Sequence, residues 1–151
     1  MVEGVQISLG IAWTLVTMTV TVGFIVALSE SLPNLLTRNT HWPAPLRDAS
    51  ALLLAVLWLF LGVFLVVVIW AALFLWLGEF DDFSTAVYFS AVSVTTVGYG
   101  DITVSSDSRL LAGFAAADGF LIFGLVTAAL YEALGRLKAE HDAHGRAQHD
   151  G

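Results

Sequence analysis

Three apolar runs, about Ile7 to Leu28, Ala51 to Leu77 and Leu110 to Leu134, contain no Lys or Arg between them. A helix of about 22 residues reaches roughly 33 Å at 1.5 Å per residue, one hydrocarbon core. Only 13% of the 151 residues are charged, against about 25% in soluble domains, so the chain has too little polar surface to face water all round. The runs therefore predict three membrane helices. A cleavable leader fits the first run poorly: no Lys or Arg precedes it and its apolar stretch is too long. Trp76 is placed as an interfacial anchor for the second, which at about 27 residues must tilt or protrude.

The polar connector from Glu30 to Ser50 carries Pro33, Pro43 and Pro45, which argue against a long helix continuing through it. Between the second and third runs, Phe83 to Val94 is too short to cross a bilayer. It reads as a re-entrant helix, with Ser84 as a candidate N-cap and Asp81 and Asp82 favourable to its dipole. The heptad Thr95-Thr-Val-Gly-Tyr-Gly-Asp101 follows. Its alternate glycines, Gly98 and Gly100, allow left-handed φ that a Cβ would resist by roughly 1–2 kcal/mol. A backbone of that kind can aim successive carbonyl oxygens to one side, a ligand set for a desolvated monovalent cation.

These residues resemble the pore module of potassium channels: outer helix, re-entrant pore helix, TVGYG filter and inner helix. Phe123 to Leu130, Phe-Gly-Leu-Val-Thr-Ala-Ala-Leu, is similar to the inner helix of KcsA-type bacterial channels. The resemblance runs from about Ala51 to Arg136 and leaves out residues 1–50. It implies that the carbonyls of Thr96, Val97, Gly98 and Tyr99, with the Thr96 hydroxyl, coordinate K+ ions. Thr95, Gly100 and Asp101 would support the filter. Relatives give the Asp101 position a pore-helix Glu or Trp; Val92 and Tyr88 stand there here, leaving Tyr88 as the candidate partner. Phe123, Thr127 and Tyr131, at four-residue spacing, would line the cavity and gate, and Gly119 would be the hinge. One filter copy cannot surround an ion, so a homotetramer in membrane lipid is implied. The expected fold is thus an all-α membrane protein of three transmembrane helices, pore helix and filter loop, assembled as a tetramer. The expected organisation is an additional N-terminal helix (1–29), a cytoplasmic connector (30–50), the pore module (51–135) and a polar cytoplasmic tail (136–151).

Arg38 and Arg47 lie in the connector and Arg136, Lys138 and Arg146 in the tail, against Arg109 alone in the filter region. The positive-inside rule then places the connector and C-terminus in the cytoplasm, with the N-terminus and filter mouth outside a cell membrane. Glu3, Glu79, Asp81, Asp82, Asp101 and Asp107 make that mouth negative and concentrate cations there. A formal charge of −7 argues against nucleic acid as a partner. With no cysteine and no nucleophile–base pair, no catalytic residue, cofactor-binding motif or enzyme activity is expected. Arg-free spans argue against an arginine voltage sensor, and the 17 residues after Leu134 are too few for a soluble ligand domain. His41, Glu140, His141, His144 and His149 offer a proton-sensing cluster, weighed against a simple polar disordered tail. Asp118, a carboxyl group inside a span, is expected to point toward the pore helix or a neighbouring span, where three readings stand open: it is protonated, it meets a hydroxyl such as that of Ser93, or it tunes ion occupancy. The leading expectation is passive, potassium-selective conduction. A poorly selective cation channel, against which the intact Tyr99 argues, and a nonconducting regulatory subunit docked through its first span stand as alternatives.

Overall fold

The computed structural model describes residues 3–38 and 43–149, with side chains over 3–31 and 46–136 and at 43 and 138. The chain forms α1 (Glu3–Arg38), α2 (Ala44–Trp76), α3 (Phe83–Val94), one 3-10 turn (Ser106–Ser108) and α4 (Arg109–His149), with no strand among the described residues. Three segments are long and apolar enough to cross a membrane: Glu3–Ser31, Leu46–Trp76 and Ser106–Arg136. They enclose the first and third runs read from the sequence and cover the second up to Trp76. In hydrocarbon a helix satisfies its own backbone, so it is the default form for each.

As the prolines led us to expect, no single helix runs through the connector, since α1 ends at Arg38 and α2 begins at Ala44, although the two helices reach well into it. Pro33 lies inside α1, while Pro43 caps α2 and Pro45 sits in its first turn. The last two positions suit proline, since first-turn N–H groups have no intrahelical acceptor. Pro33 removes the N–H that would bond the Ser29 carbonyl four residues earlier. Arg136 Nη1 donates to that same carbonyl at 3.5 Å, while its guanidinium also holds Glu132 at 2.6 Å. The polar tail is likewise not disordered, because α4 continues helically to His149.

The paired contacts fix the arrangement. Gly10 meets Phe114, Thr17 meets Asp118 and Ser29 meets Arg136, so α1 runs parallel to α4. Trp13 Nε1 donates to the Ile69 carbonyl and Trp58 Nε1 to the Phe24 carbonyl, both at 3.0 Å, so α1 runs antiparallel to α2. Gly10 and Gly62 are the close-approach points. A Cβ at Gly10 would lie 2.4 Å from the Phe114 ring, and one at Gly62 3.0 Å from the Phe24 ring. Small residues let membrane helices approach where no hydrophobic force drives them together. The main core forms where α2, α3 and α4 meet, around Trp70, Phe74, Phe89, Leu111 and Ile122. Phe74 meets Phe89 edge-on at a centroid distance of 5.1 Å, and Phe80 closes on Phe89 at the same distance, seating α3 on α2.

The contacts of α1 predict that Trp13→Phe, which keeps the ring and loses the N–H, leaves helix content unchanged. It should lower stability by about 1 kcal/mol, read from the thermal midpoint in detergent.

Candidate ion pathway

Helix α3 starts at Asp82 rather than Ser84. The Asp82 side chain accepts from the Thr85 N–H at 2.9 Å and from the Ser84 hydroxyl at 2.6 Å, and Ser84 lies inside the first turn. Those bonds, from Ser84 first and Thr85 second, hold the Asp82 carboxyl down at about 2. At 12 residues the helix reaches only about 18 Å and ends within the bundle.

The end of α3 builds the start of the heptad. Val97 N–H bonds to the Val92 carbonyl at 3.0 Å and Thr96 N–H to the Ser93 carbonyl at 2.9 Å, which together make a Schellman closure. That closure needs a left-handed residue just past the C-cap, and Thr96 takes it at φ +59. Gly98 follows at φ +57 and Gly100 at φ +75. Every second residue of the heptad is therefore left-handed. The sequence marks the two glycines, but nothing in the identity of a β-branched threonine announces Thr96. The signal was positional: Thr96 is the second residue after the helix stop. Within one chain a Cβ at Gly98 or Gly100 would meet nothing within 4 Å, so backbone conformation and not crowding calls for glycine there.

Two carboxylates hold the outer end. Tyr88, on α3, donates its hydroxyl to Asp101 Oδ2 at 2.7 Å, joining the two residues that the sequence paired. This bond holds the Asp101 carboxyl below the usual carboxylate range. Glu79, which the sequence offered only as one of several mouth acids, ties the outer end of α2 to the start of α4. It accepts from the Ser105 N–H at 2.7 Å and from the hydroxyls of Ser105 and Ser108 at 2.8 and 2.6 Å. Burial pushes Glu79 up, but the Ser108 and Ser105 bonds outweigh it and hold the group below its ordinary 4.5.

On α4 the buried positions include Leu111, Ala115, Asp118, Ile122, Ala129 and Ala133. Phe123, Thr127 and Tyr131 lie off that face and are exposed, Tyr131 by 80%. Gly119 packs against α3: a Cβ there would fall 1.8 Å from the Val94 carbonyl oxygen. The α-hydrogen of glycine occupies that direction, giving a C–H···O contact to the last residue of the pore helix. Asp118 is fully buried. Its Oδ2 accepts from the Thr17 hydroxyl at 2.6 Å and from Trp70 Nε1 at 2.7 Å. Its hydroxyl partner thus comes from α1, not from Ser93. His41 lies outside the described residues, as do the side chains of Glu140, His141, His144 and His149.

A short helix feeding a loop of alternating φ, held between an outer and an inner helix, is the architecture of an ion-conducting pore module. Residues 53–136 match the family described as "Ion channel", and the chain belongs to that family of channels, which are not enzymes. It is a multi-pass membrane protein with a potassium-channel-like pore module. It is also similar to a hyperpolarization-activated voltage-gated potassium channel of Methanocaldococcus jannaschii, 46% identical over 48 residues. That stretch is 31% of this chain and 22% of the relative. No solved structure is a significant match.

Gly119→Ala should lower the thermal midpoint by an amount corresponding to about 1–3 kcal/mol, because its methyl meets backbone and not a yielding side chain. The Glu79 clamp has a defined pH window. Its folded value lies below 4.5, so its stabilisation is complete above pH about 4.5 and disappears as pH falls through the lower folded value. Thermal midpoints of wild type and Glu79→Gln should therefore differ by a constant amount between pH 7 and 5 and converge in stronger acid.

Proposed function

We propose that four copies of the chain assemble around the heptad as a potassium-selective channel that conducts passively. The observation that carries the reading is positive φ at Thr96, Gly98 and Gly100, every second residue of the heptad. This alternation lets consecutive carbonyls share one direction. Those of Thr96, Val97, Gly98 and Tyr99, with the Thr96 hydroxyl, are the proposed ligands that replace the hydration shell of K+.

Two further features support a tetramer. Val97 and Tyr99 are 51% and 72% exposed in the single chain, open to packing by a neighbouring copy. Behind the filter a cleft of about 400 Å³, lined by Phe89, Val92, Ser93 and Arg109 among others, is open where a neighbouring copy would pack. Phe123, Thr127 and Tyr131 would face the axis as cavity and gate. Gly119 is the proposed hinge, and its contact with Val94 means that a bend there would move the end of α3. The basic residues favour a cytoplasmic C-terminus and an external N-terminus and filter mouth. The similarity to the Methanocaldococcus jannaschii protein, which is named a potassium channel, is in keeping with potassium as the ion.

Purified protein in potassium-loaded liposomes tests the proposal. Barium-blocked potassium efflux well above sodium flux is expected. Sodium flux equal to potassium flux would replace it with a poorly selective pore, and no flux at any pH or voltage would leave a nonconducting subunit. Gly98→Ala should abolish selectivity while helix content stays unchanged, since alanine at φ +57 carries a strain of roughly 1–2 kcal/mol.

A further inference from the structure

A carboxyl group in a membrane span costs a few kcal/mol, so its surroundings indicate what it is for. Asp118 shares the buried face of α4 with Leu111, Ala115 and Ile122, which pack without polar atoms. Packing alone therefore does not call for an acid at this position. What Asp118 adds is direction. Two donors from two different helices, Thr17 of α1 and Trp70 of α2, converge on its Oδ2 at 2.6 and 2.7 Å. That convergence fixes the rotation of α4 about its own axis at residue 118. The next residue, Gly119, aims its α-hydrogen at the Val94 carbonyl, and a small rotation there would press on backbone. Val94 is the last residue of α3, whose terminal carbonyls receive the N–H groups of Thr96, Val97 and Gly98.

We propose that Thr17 and Asp118 are positioning residues of the filter, so that the first helix is a working part of the pore. The route is short: the Thr17 hydroxyl orients Asp118, Asp118 sets the angle of Gly119, and Gly119 seats the end of α3 from which the filter departs. This inference rests on the potassium-channel reading for its effect on selectivity, but the mechanical link is measurable without conduction.

The test uses the full chain with Thr17→Val, which is nearly isosteric and removes the hydroxyl, beside Thr17→Ser, which keeps it. Trp13→Phe is the control, since it loosens α1 at a different polar contact. Hydrogen exchange in detergent at the Val97 and Gly98 amides reads the link. Exchange about tenfold faster in Thr17→Val is expected, with wild-type rates in Thr17→Ser and in Trp13→Phe. In liposomes the potassium-to-sodium flux ratio should fall by at least about tenfold in Thr17→Val and recover in Thr17→Ser. Asp118→Asn, which keeps an acceptor oxygen, should retain wild-type exchange where Asp118→Leu does not. Unchanged exchange in Thr17→Val overturns the proposal. So does equal acceleration in Trp13→Phe, which would make α1 a general structural brace. If wild-type vesicles pass no potassium, the channel reading fails while the exchange comparison still decides the link.

Discussion

Inside a bilayer no water is at hand to pair with a loose carbonyl, so any backbone that leaves helical geometry must be satisfied by protein or face a polar space. The end of α3 is where this chain meets that constraint. Val92 and Ser93 are closed by the N–H groups of Val97, Gly98 and Thr96, and Val94 is backed by Gly119. The closure forces Thr96 to a positive φ, and that residue begins the alternation that Gly98 and Gly100 continue. The alternating backbone of the heptad is thus launched by a helix cap. The surrounding architecture, from the Phe74–Phe89–Phe80 cluster to the Glu79 clamp, keeps that cap in place.

How much of this was legible in the sequence varied with the kind of interaction. The spans could be read because a hydrocarbon core demands a minimum apolar length. The bounds of α3, Phe83–Val94, could be read because turn residues and the heptad bracket it. The Tyr88–Asp101 bond was legible only through the resemblance to potassium-channel pore modules, which left Tyr88 as the candidate partner. The prolines argued rightly against one helix through the connector but not against helix within it, because their effect depends on position. Pro45 falls in a first turn, where it is harmless, and Pro33 in a helix whose broken bond finds a substitute. Ser84 misled because its neighbour Asp82 is the better acceptor and recruits the serine hydroxyl as a second donor.

Long-range pairings were the least legible. Nothing local links Thr17 to Asp118, 101 residues apart, or Trp70 to the same oxygen. The cost of an acid in a membrane span marked Asp118 as a residue needing an account, but did not say whether a partner existed or which helix would supply it. Glu79 posed the same difficulty at the outer end. As one of six acids around the mouth it looked like a contributor to charge, whereas its three hydrogen bonds make it a structural clasp.

The vacancy that Pro33 leaves has a consequence for how the subunit can move. α1 is joined to α4 toward its N-terminal end at Gly10, further along through Thr17 and toward its C-terminal end through Ser29. A turn of α4 by a single residue, about 100°, would break all three junctions together. The two helices therefore travel as one blade. A blade of two helices presents a wider flank to the acyl chains than α4 alone would.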